Sequence, residues 1–203
     1  MKNNEESLGG IILLGGKSKR MGADKYLLPF FNSTLIEHLI KELTRAVDNV
    51  LLVTNEPEKL AFLSHDYVTD ILGEPCALSG IHAGLVHSKH RYNFVLACDL
   101  PFFSYKLVSL MSAHIQRATA IVVPKTENGL ETLCGFYSKE CIPVIENLFH
   151  ENIYSVQELY SRVTTSIVDA KEFEEKIHHR LFFNMNSPSD YEKALAELAH
   201  KSE

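Results

Sequence analysis

The sequence predicts an α/β fold built on a mostly parallel sheet. Short apolar segments, each bounded by glycines or polar turns, have the length of buried strands, and they lie at 10–14, 49–54, 93–97 and 120–124. Stretches with helical periodicity or helix-start signals separate them. Strands that alternate with helices in this way are typical of a mostly parallel sheet covered by helices.

Length and composition predict a single domain of ordinary globular character. The chain has 203 residues, of which 45% are hydrophobic and 23% are charged, as in typical soluble domains. We predict a disordered tail over 1–8 and one domain over 9–203. No apolar run approaches the ~20 residues that span a bilayer, and the polar start lacks the features of a signal peptide. We therefore expect a cytoplasmic protein with no membrane partner.

The charge and the cysteines exclude several functional classes. A net charge of -6 argues against nucleic-acid binding, which requires a basic surface. The four cysteines form no C-x-x-C pair, and the ten histidines show no H-x-H or H-E-x-x-H spacing, so zinc is not expected. His178 and His179 are predicted to lie in a solvated turn.

Local signals predict most of the remaining elements. Thr34 and Glu37 have the spacing of a capping box at the start of a helix, and Ser104 is placed to cap another. Ser187, Pro188 and Asp190 form a strong helix start. Further helices are expected at 57–64, 81–87, 139–148 and 151–162, and further strands at 67–71, 131–137 and 163–168. An extended segment is expected at 25–30, and a loop with Gly73, Pro75 and Gly80 before the helix at 81–87.

The segment 10–25 (GIILLGGKSKRMGADK) predicts an anion site. A buried strand ends at a double glycine, where the backbone can turn sharply and approach a ligand closely. Four cationic side chains then follow within nine residues, from Lys17 to Lys25. A local cationic loop in an acidic protein indicates a focused site for a polyphosphate.

Two familiar phosphate-binding motifs do not fit this segment. A Walker A loop requires a glycine five positions before Gly16, and Ile11 stands there instead. The spacing of the glycines also differs from G-x-G-x-x-G. The sequence therefore predicts neither a P-loop NTPase nor a dinucleotide-binding site.

Asp99 is the second candidate for chemistry. It follows the apolar segment 93–97, so it is expected at the carboxyl end of a strand, where ligands of such sheets bind. A carboxylate that faces a phosphate loop is a suitable ligand for Mg²⁺. The alternative, a turn or helix cap, is weaker because Ser104 is better placed to cap the next helix.

With these residues in view, the chain resembles the molybdenum cofactor guanylyltransferases. Residues 13–25 (LLGGKSKRMGADK) resemble the family signature L-A-G-G-x-S-x-R-M-G-x-D-K, and residues 98–102 (CDLPF) resemble C-D-M-P-F. Residues 77–85 (ALSGIHAGL) resemble a segment containing G-P-L-A-G-I, and residues 131–137 (ETLCGFY) resemble E-P-L-C-A-L-Y. Residues 183–188 (FNMNSP) are similar to the end of F-x-N-x-N-T-P.

The resemblance implies a three-layer, Rossmann-like nucleotidyltransferase fold with a mostly parallel central sheet. It implies that GMP passes from GTP to the phosphate of molybdenum-bearing molybdopterin, with Mg²⁺ as cofactor and pyrophosphate as the second product. GTP and molybdopterin are then the substrates, and other molybdenum-cofactor proteins are candidate partners. Two alternatives stay open: a cytidylyltransferase acting on molybdopterin or another phosphorylated acceptor, and a non-catalytic nucleotide-binding module.

The resemblance also assigns roles to individual residues. Asp99 would bind the metal and, with Arg20 and Lys25, form the catalytic set. Asn184 and Asn186, expected on one face of a strand, would contact the pterin substrate. The nucleotide would contact a larger set, which comprises Leu13, Leu14, Gly15, Lys25, Asp70, Gly80 and Asp99. The role of Asn55 is left open.

Leu14 is the main departure from the family signature within the first loop. The family has alanine there. A larger side chain at that turn must either enter the core or narrow the site for the base.

Overall fold

The structure is a computed structural model that describes residues 7–15 and 24–199. Within these residues the central sheet has eight strands and a separate hairpin has two. The sheet strands are β1 (Leu8–Leu13), β4 (Asn49–Val53), β5 (Tyr67–Val68), β6 (Tyr92–Ala97), β7 (Ile121–Thr126), β8 (Gly129–Leu130), β9 (Cys134–Ser138) and β10 (Thr165–Asp169). The hairpin consists of β2 (Pro29–Phe30) and β3 (Ser33–Thr34).

The strand order is β10-β7-β9-β6-β1-β4-β5, and β8 pairs with β7. The pairs β1–β4, β1–β6, β4–β5 and β7–β10 are parallel. Strand β9 is inserted antiparallel between β6 and β7. The predicted mostly parallel α/β sheet is therefore confirmed, with one antiparallel strand in its interior.

Seven helices pack around this sheet in the described part of the chain. They are α1 (Leu35–Leu43), α2 (Ala77–His87), α3 (Tyr105–Ser112), α4 (Cys141–His150), α5 (Val156–Arg162), α6 (Lys171–Glu174) and α7 (Pro188–Ala199). Buried residues of α1, α3, α6 and α7 share one core cluster, and those of α2, α4 and α5 share another. The sheet separates the two clusters, so the fold has three layers.

Strand β1 shows why the sheet is covered on both faces. Side chains alternate between the faces of a strand: Ile11 and Leu13 enter the core under α2, and Ile12 enters the core under α1. Helix α2 packs so closely on β1 that a Cβ atom on Gly84 would lie 2.7 Å from Ile11 Cγ2. A continuous apolar run is therefore needed for this strand.

The predicted helix starts at Thr34, Ser104 and Ser187 are confirmed. Thr34 and Glu37 form a reciprocal capping box on α1, and Ser104 Oγ accepts the Lys106 N–H at the start of α3. Ser187 Oγ accepts the Asp190 N–H at the start of α7. The free N–H groups of a helix's first turn are thus satisfied by side chains.

Four local predictions are wrong. Lys25–Leu27 form a 3₁₀ helix rather than an extended segment, and Gly80 lies inside α2 rather than in the preceding loop. Strand β5 stops at Val68, because the Asp70 N–H beyond it donates to the Asn55 side chain instead of to the backbone of β4. Residues 183–186 form no strand; their backbone reaches a loop of the candidate site instead of a neighbouring strand.

The start of the chain differs from the predicted tail over 1–8. Strand β1 begins at Leu8, inside the segment predicted as a tail, and residues 1–6 lie outside the described residues.

All four cysteines are free thiols. No helix within 7–15 or 24–199 is both long and apolar enough to cross a membrane.

Candidate active site

The carboxyl ends of β1 and β6 bring the two polar loops together. The strands run parallel in a register that pairs Leu13 with Ala97, so the loops that follow emerge at the same edge of the sheet. The 3₁₀ helix positions Lys25 there, and its Nζ lies 3.5 Å from Asp99 Oδ2. Both side chains are mostly shielded from solvent, with exposed fractions of 13% and 22%.

Asn186 joins these two residues from the far end of the chain. Lys25 Nζ donates to Asn186 Oδ1 at 2.6 Å, and the Met185 N–H donates to the Asp99 carbonyl at 2.8 Å. The cap of α7 fixes Asn186, because Asp190 Oδ2 accepts both its N–H and the Ser187 hydroxyl. Three segments distant in sequence therefore converge on one ammonium group.

Asp99 has a carboxylate oxygen that could bind a divalent cation. Its Oδ1 is buried and accepts no hydrogen bond from any residue the structure describes. An unsatisfied buried acceptor costs about 1–3 kcal/mol, so its retention at a strand end requires an explanation. A hard cation such as Mg²⁺ prefers carboxylate oxygen, and the donor set here fits such an ion.

The neighbouring thiol is not a nucleophile. Burial, the largest effect, and the adjacent Asp99 charge raise the pKa of Cys98 to about 12. The thiol therefore stays neutral near pH 7, whereas nucleophilic cysteines react as thiolates. Cys98 belongs to the core beneath the site.

A second group of predicted residues lies at the ends of β4 and β5. Asp70 Oδ2 lies 3.3 Å from Asn55 Nδ2 and 2.9 Å from Ser79 Oγ, and the Asp70 N–H donates to Asn55 Oδ1 at 3.2 Å. Asn55 thus holds both the backbone and the carboxylate of Asp70. This arrangement leaves Asp70 Oδ1 as the less engaged oxygen, on the side of Gly80.

Gly80 and Leu13 complete this second group. A Cβ atom on Gly80 would lie 3.4 Å from Leu13 Cδ2 and 3.8 Å from Asp70 Oδ1. The absence of a side chain on Gly80 therefore leaves room beside Asp70, at the carboxyl end of β1. Among the described residues, no atom lies within 4 Å of a Cβ built on Gly15.

The structure decides the orientation of Leu14. Its side chain is 4% exposed and belongs to the core cluster that contains Phe30 and α1. Its N–H donates to the Val53 carbonyl at 2.8 Å. The bulk of Leu14 therefore does not narrow a base site, and its amide is already used.

Two further predicted residues stand apart. Asn184 does not share the surroundings of Asn186: its amide contacts the Phe182 carbonyl and the Glu131 carboxylate. The prediction that both asparagines point from one face of a strand is wrong, because the segment is not extended against a sheet. Arg20 lies outside the described residues.

His178, His179 and Glu197 form a cluster whose potential ligand atoms lie within 4.8 Å of one another. The predicted solvated turn is wrong for His178, which is 10% exposed and stacks on Phe102 at 4.9 Å. Its Nδ1 accepts the Arg180 N–H, so the neutral ring carries its proton on Nε2, which faces Glu197. A metal ion would need the Nε2 position that this proton occupies, so the cluster does not fit a metal site. Glu197 is instead held by His178, His179 and Arg180.

The fold is that of the nucleotidyltransferases. Molybdopterin-guanine dinucleotide biosynthesis protein A from Archaeoglobus fulgidus superimposes with a TM-score of 0.83 at 21% identity, over 95% of this chain and 99% of that one. A nucleotidyl transferase from Methanothermobacter thermautotroptrophicus gives 0.73 at 17% identity, over 96% and 99%. At such identities these structures show the fold alone.

Sequence relatives narrow the class to a family. The molybdenum cofactor guanylyltransferase of Desulfosudis oleivorans is 30% identical over 95% of this chain and 96% of its own. A probable molybdenum cofactor guanylyltransferase of Flavobacterium johnsoniae is 32% identical over 83% and 88%. Residues 10–166 match the MobA-like NTP transferase domain. The chain belongs to this family of nucleotidyltransferases, which confirms the predicted resemblance.

Sequence reasoning missed two residues and left a third undecided. The sequence predicts no site role for Ser79 or Glu131, although Glu131 opens the motif at 131–137, and it gives Asn55 no definite role. Ser79 contacts Asp70 and Glu131 contacts Asn184 only after chain segments far apart have been brought together. The motif position of Glu131 was the one available signal.

Proposed function

We propose that the protein transfers GMP from GTP to the terminal phosphate of molybdopterin that carries molybdenum. The products are the guanine dinucleotide form of the cofactor, which passes to other molybdenum-cofactor proteins, and pyrophosphate. The names of the relatives support both the reaction and the choice of guanine. The meeting of Lys25, Asp99 and Asn186 at the carboxyl ends of β1 and β6 supports the proposed position of the reaction site.

The observation that carries this proposal is the position of Lys25 Nζ between Asp99 and Asn186. The ammonium lies 3.5 Å from Asp99 Oδ2 and 2.6 Å from Asn186 Oδ1 at the edge of the sheet where ligands bind. This site offers an ammonium group, a carboxylate that can bind a metal, and an amide. Together they can bind the phosphates of two substrates. Phosphoryl transfer depends mostly on such positioning and charge neutralisation.

The bond changes follow from the substrates. An oxygen of the pterin phosphate attacks the α-phosphorus of GTP and forms a new P–O bond, and the bond to the β-phosphate oxygen breaks. Pyrophosphate leaves with the electron pair. Lys25 offsets charge on the phosphates, and Arg20 is proposed to do the same from the first loop. No general base is required, because the attacking phosphate is already ionised.

Asp99 is proposed to hold Mg²⁺ through Oδ1, the oxygen that accepts no hydrogen bond from the described residues. When held by Asp99, Mg²⁺ would supply positive charge that offsets the negative charge of the substrate phosphates. Asn186 uses its carbonyl oxygen to orient Lys25, which leaves its amide N–H groups to donate to the acceptor phosphate. Lys25 and Asn186 thus act as a pair.

The base is proposed to bind near Asp70, Gly80 and the ends of Leu13, Leu14 and Gly15. A carboxylate accepts well from the N1–H and 2-amino groups of guanine or from ribose hydroxyls. Asp70 is held by Asn55 and Ser79 with one oxygen less engaged, and Gly80 leaves room for a planar ring beside it. This geometry supports a nucleotide site next to the reaction site.

Pyrophosphate release with each of the four nucleoside triphosphates, in the presence of Mg²⁺ and molybdenum-loaded molybdopterin, tests the proposal. We expect release with GTP and its loss when EDTA removes the metal. Release with CTP and none with GTP would replace the base assignment. Tight nucleotide binding without any release would indicate a binding module.

A further inference from the structure

A cavity of about 730 Å³ lies next to the candidate active site. It opens between the ends of β7 and β10 and the segment that leads to α7. Its lining includes two aromatic rings, three cations and four carboxylates, which are Phe182, Phe183, Lys125, Lys171, Arg180, Glu127, Glu131, Asp169 and Glu174. Aromatic side chains beside hydrogen-bonding groups are features of binding sites for small ligands.

The cavity is connected to the reacting groups through three consecutive residues. Asn184 contacts Glu131 in the cavity wall, Met185 bonds the backbone of Asp99, and Asn186 holds Lys25. Consecutive Cα atoms are about 3.8 Å apart, so the Cα atoms of residues 184 and 186 are at most about 7.6 Å apart. A fused-ring ligand in the cavity could therefore extend a phosphate-bearing arm to Lys25.

The environment of Glu131 in the cavity wall is unusual for a carboxylate. It is half-buried, and burial, the largest effect, raises the pKa of its carboxyl group. Thr126 Oγ1 lies 3.3 Å from its Oε1, and the Asn184 amide also donates to it. Neither Lys nor Arg forms an ion pair with it in the described residues: Lys171 pairs with Glu127 and Arg180 with Glu197. A desolvated carboxylate without a cation is suited to accept from a ligand.

We propose that Glu131 is a specificity-determining residue that recognises the 2-amino-4-oxo edge of the pterin ring in this cavity. A carboxylate accepts two parallel hydrogen bonds from the N3–H and 2-amino groups of a pterin. Phe183, which packs against Phe102 at 5.9 Å, supplies an aromatic wall for the ring. This inference rests on the proposed function, because it assigns the second substrate of that reaction.

Glu131→Gln tests the proposal with a nearly isosteric side chain that lacks the charge. Binding is measured by the fluorescence of two probes, 6-hydroxymethylpterin and 6-hydroxymethyllumazine, which has an oxygen in place of the 2-amino group. We expect the wild-type protein to prefer the pterin and Glu131→Gln to reduce that preference about 10–100-fold, the range for hydrogen bonds to a charged group. Glu131→Asp keeps the carboxylate and is expected to keep the preference with weaker binding.

Glu127→Gln is the matched control, because Glu127 lines the same cavity but is 83% exposed and paired with Lys171. It is expected to bind both probes as the wild type does. The same preference in Glu131→Gln and in the wild type, with unchanged circular dichroism, would overturn the inference.

Turnover separates this inference from the proposed function. Wild-type protein that releases no pyrophosphate from GTP would contradict the proposed function, and the probe measurements would still decide the role of Glu131. If the wild type turns over, Glu131→Gln is expected to raise the KM for the pterin substrate about 10–100-fold and to leave the KM for GTP unchanged. An unchanged KM for the pterin substrate would count against the inference alone.

Discussion

At the scale of single residues, the two oxygens of Asp99 have different surroundings. Oδ2 lies 3.5 Å from Lys25 Nζ, whereas Oδ1 is buried and has no hydrogen-bond donor among the residues described. A carboxylate used only for stability would be expected to satisfy both oxygens. The proposed cation would contact the carboxylate oxygen that the described residues leave without a donor.

Replacement of this carboxylate is expected to affect chemistry more than stability. Asp99→Asn should reduce pyrophosphate release at least about 100-fold, as the loss of one electrostatic group in a transfer site does. The midpoint of thermal unfolding should change by no more than about 3 °C, since a 3.5 Å ion pair that is partly exposed stabilises little. Asp66→Asn, at an exposed position, is the control, and wild-type turnover in Asp99→Asn would remove Asp99 from the mechanism.

Asn55 acts on a neighbour at the same scale. Asn55→Ala removes two contacts to Asp70, at 3.3 and 3.2 Å, so the carboxylate can rotate away from the proposed base site. We expect the KM for GTP to rise about 10-fold with little change in kcat, and the preference for GTP over ITP, which lacks the 2-amino group, to decrease. Steady-state rates with both nucleotides measure this, with the exposed Asn147→Ala as control. An unaltered GTP preference would show that Asn55 does not position Asp70 for the base.

At the scale of elements, two helix caps have different consequences. Thr34 caps α1 away from the reacting groups, whereas Ser187 caps α7 directly after Asn186. In the α7 cap, Asp190 also accepts the Asn186 N–H. One cap therefore stabilises a helix alone, and the other also fixes a side chain that holds Lys25.

A matched pair of variants separates these roles. Thr34→Ala and Ser187→Ala should each lower the free energy of unfolding by about 1 kcal/mol, the usual cost of losing an N-cap. Only Ser187→Ala should also lower kcat, because Asn186 is then less firmly held. Denaturant unfolding and turnover of both variants test this, and equal kcat values would contradict the link between the α7 cap and catalysis.

The helices and loops also show which secondary structure can be predicted from sequence patterns alone. The caps at Thr34 and Ser187 were predictable because their hydrogen bonds join residues three apart in sequence. The 3₁₀ helix at Lys25–Leu27 and the irregular segment 183–186 were not. Both segments contact Asp99: Lys25, 74 residues away in sequence, through its side chain, and Met185 through its backbone N–H. Gly80 suggested a loop, but it lies in α2, beside Leu13 and Asp70.

At the scale of the whole molecule, the packing of α2 on β1 joins the two halves of the site. Gly84→Ala would place a Cβ atom 2.7 Å from Ile11 Cγ2, so α2 must shift or β1 must deform. We expect a loss of about 1–3 kcal/mol in the free energy of unfolding and a higher KM for GTP, because α2 also carries Ser79 and Gly80.

The double variant Gly84→Ala/Ile11→Ala checks the cause. Removal of the Ile11 side chain makes room for the new methyl group, so Gly84→Ala should cost less in that background than in the wild type. Denaturant unfolding of the four proteins in the cycle measures the coupling. If the losses in the free energy of unfolding simply add, the Ile11 side chain is not what opposes Gly84→Ala.

The sequence by itself determined the α/β class, most strands and helix starts, and the residue types of the candidate site, because periodicity, caps and glycine turns depend on neighbours along the chain. Only the tertiary structure decided that Leu14 enters the core and that Asn55 and Ser79 hold Asp70. It also decided that Asn186, rather than Asn184, contacts Lys25. These facts depend on contacts between distant segments, and such contacts exist only once the parallel register of β1 with β4 and β6 has brought the strand ends together.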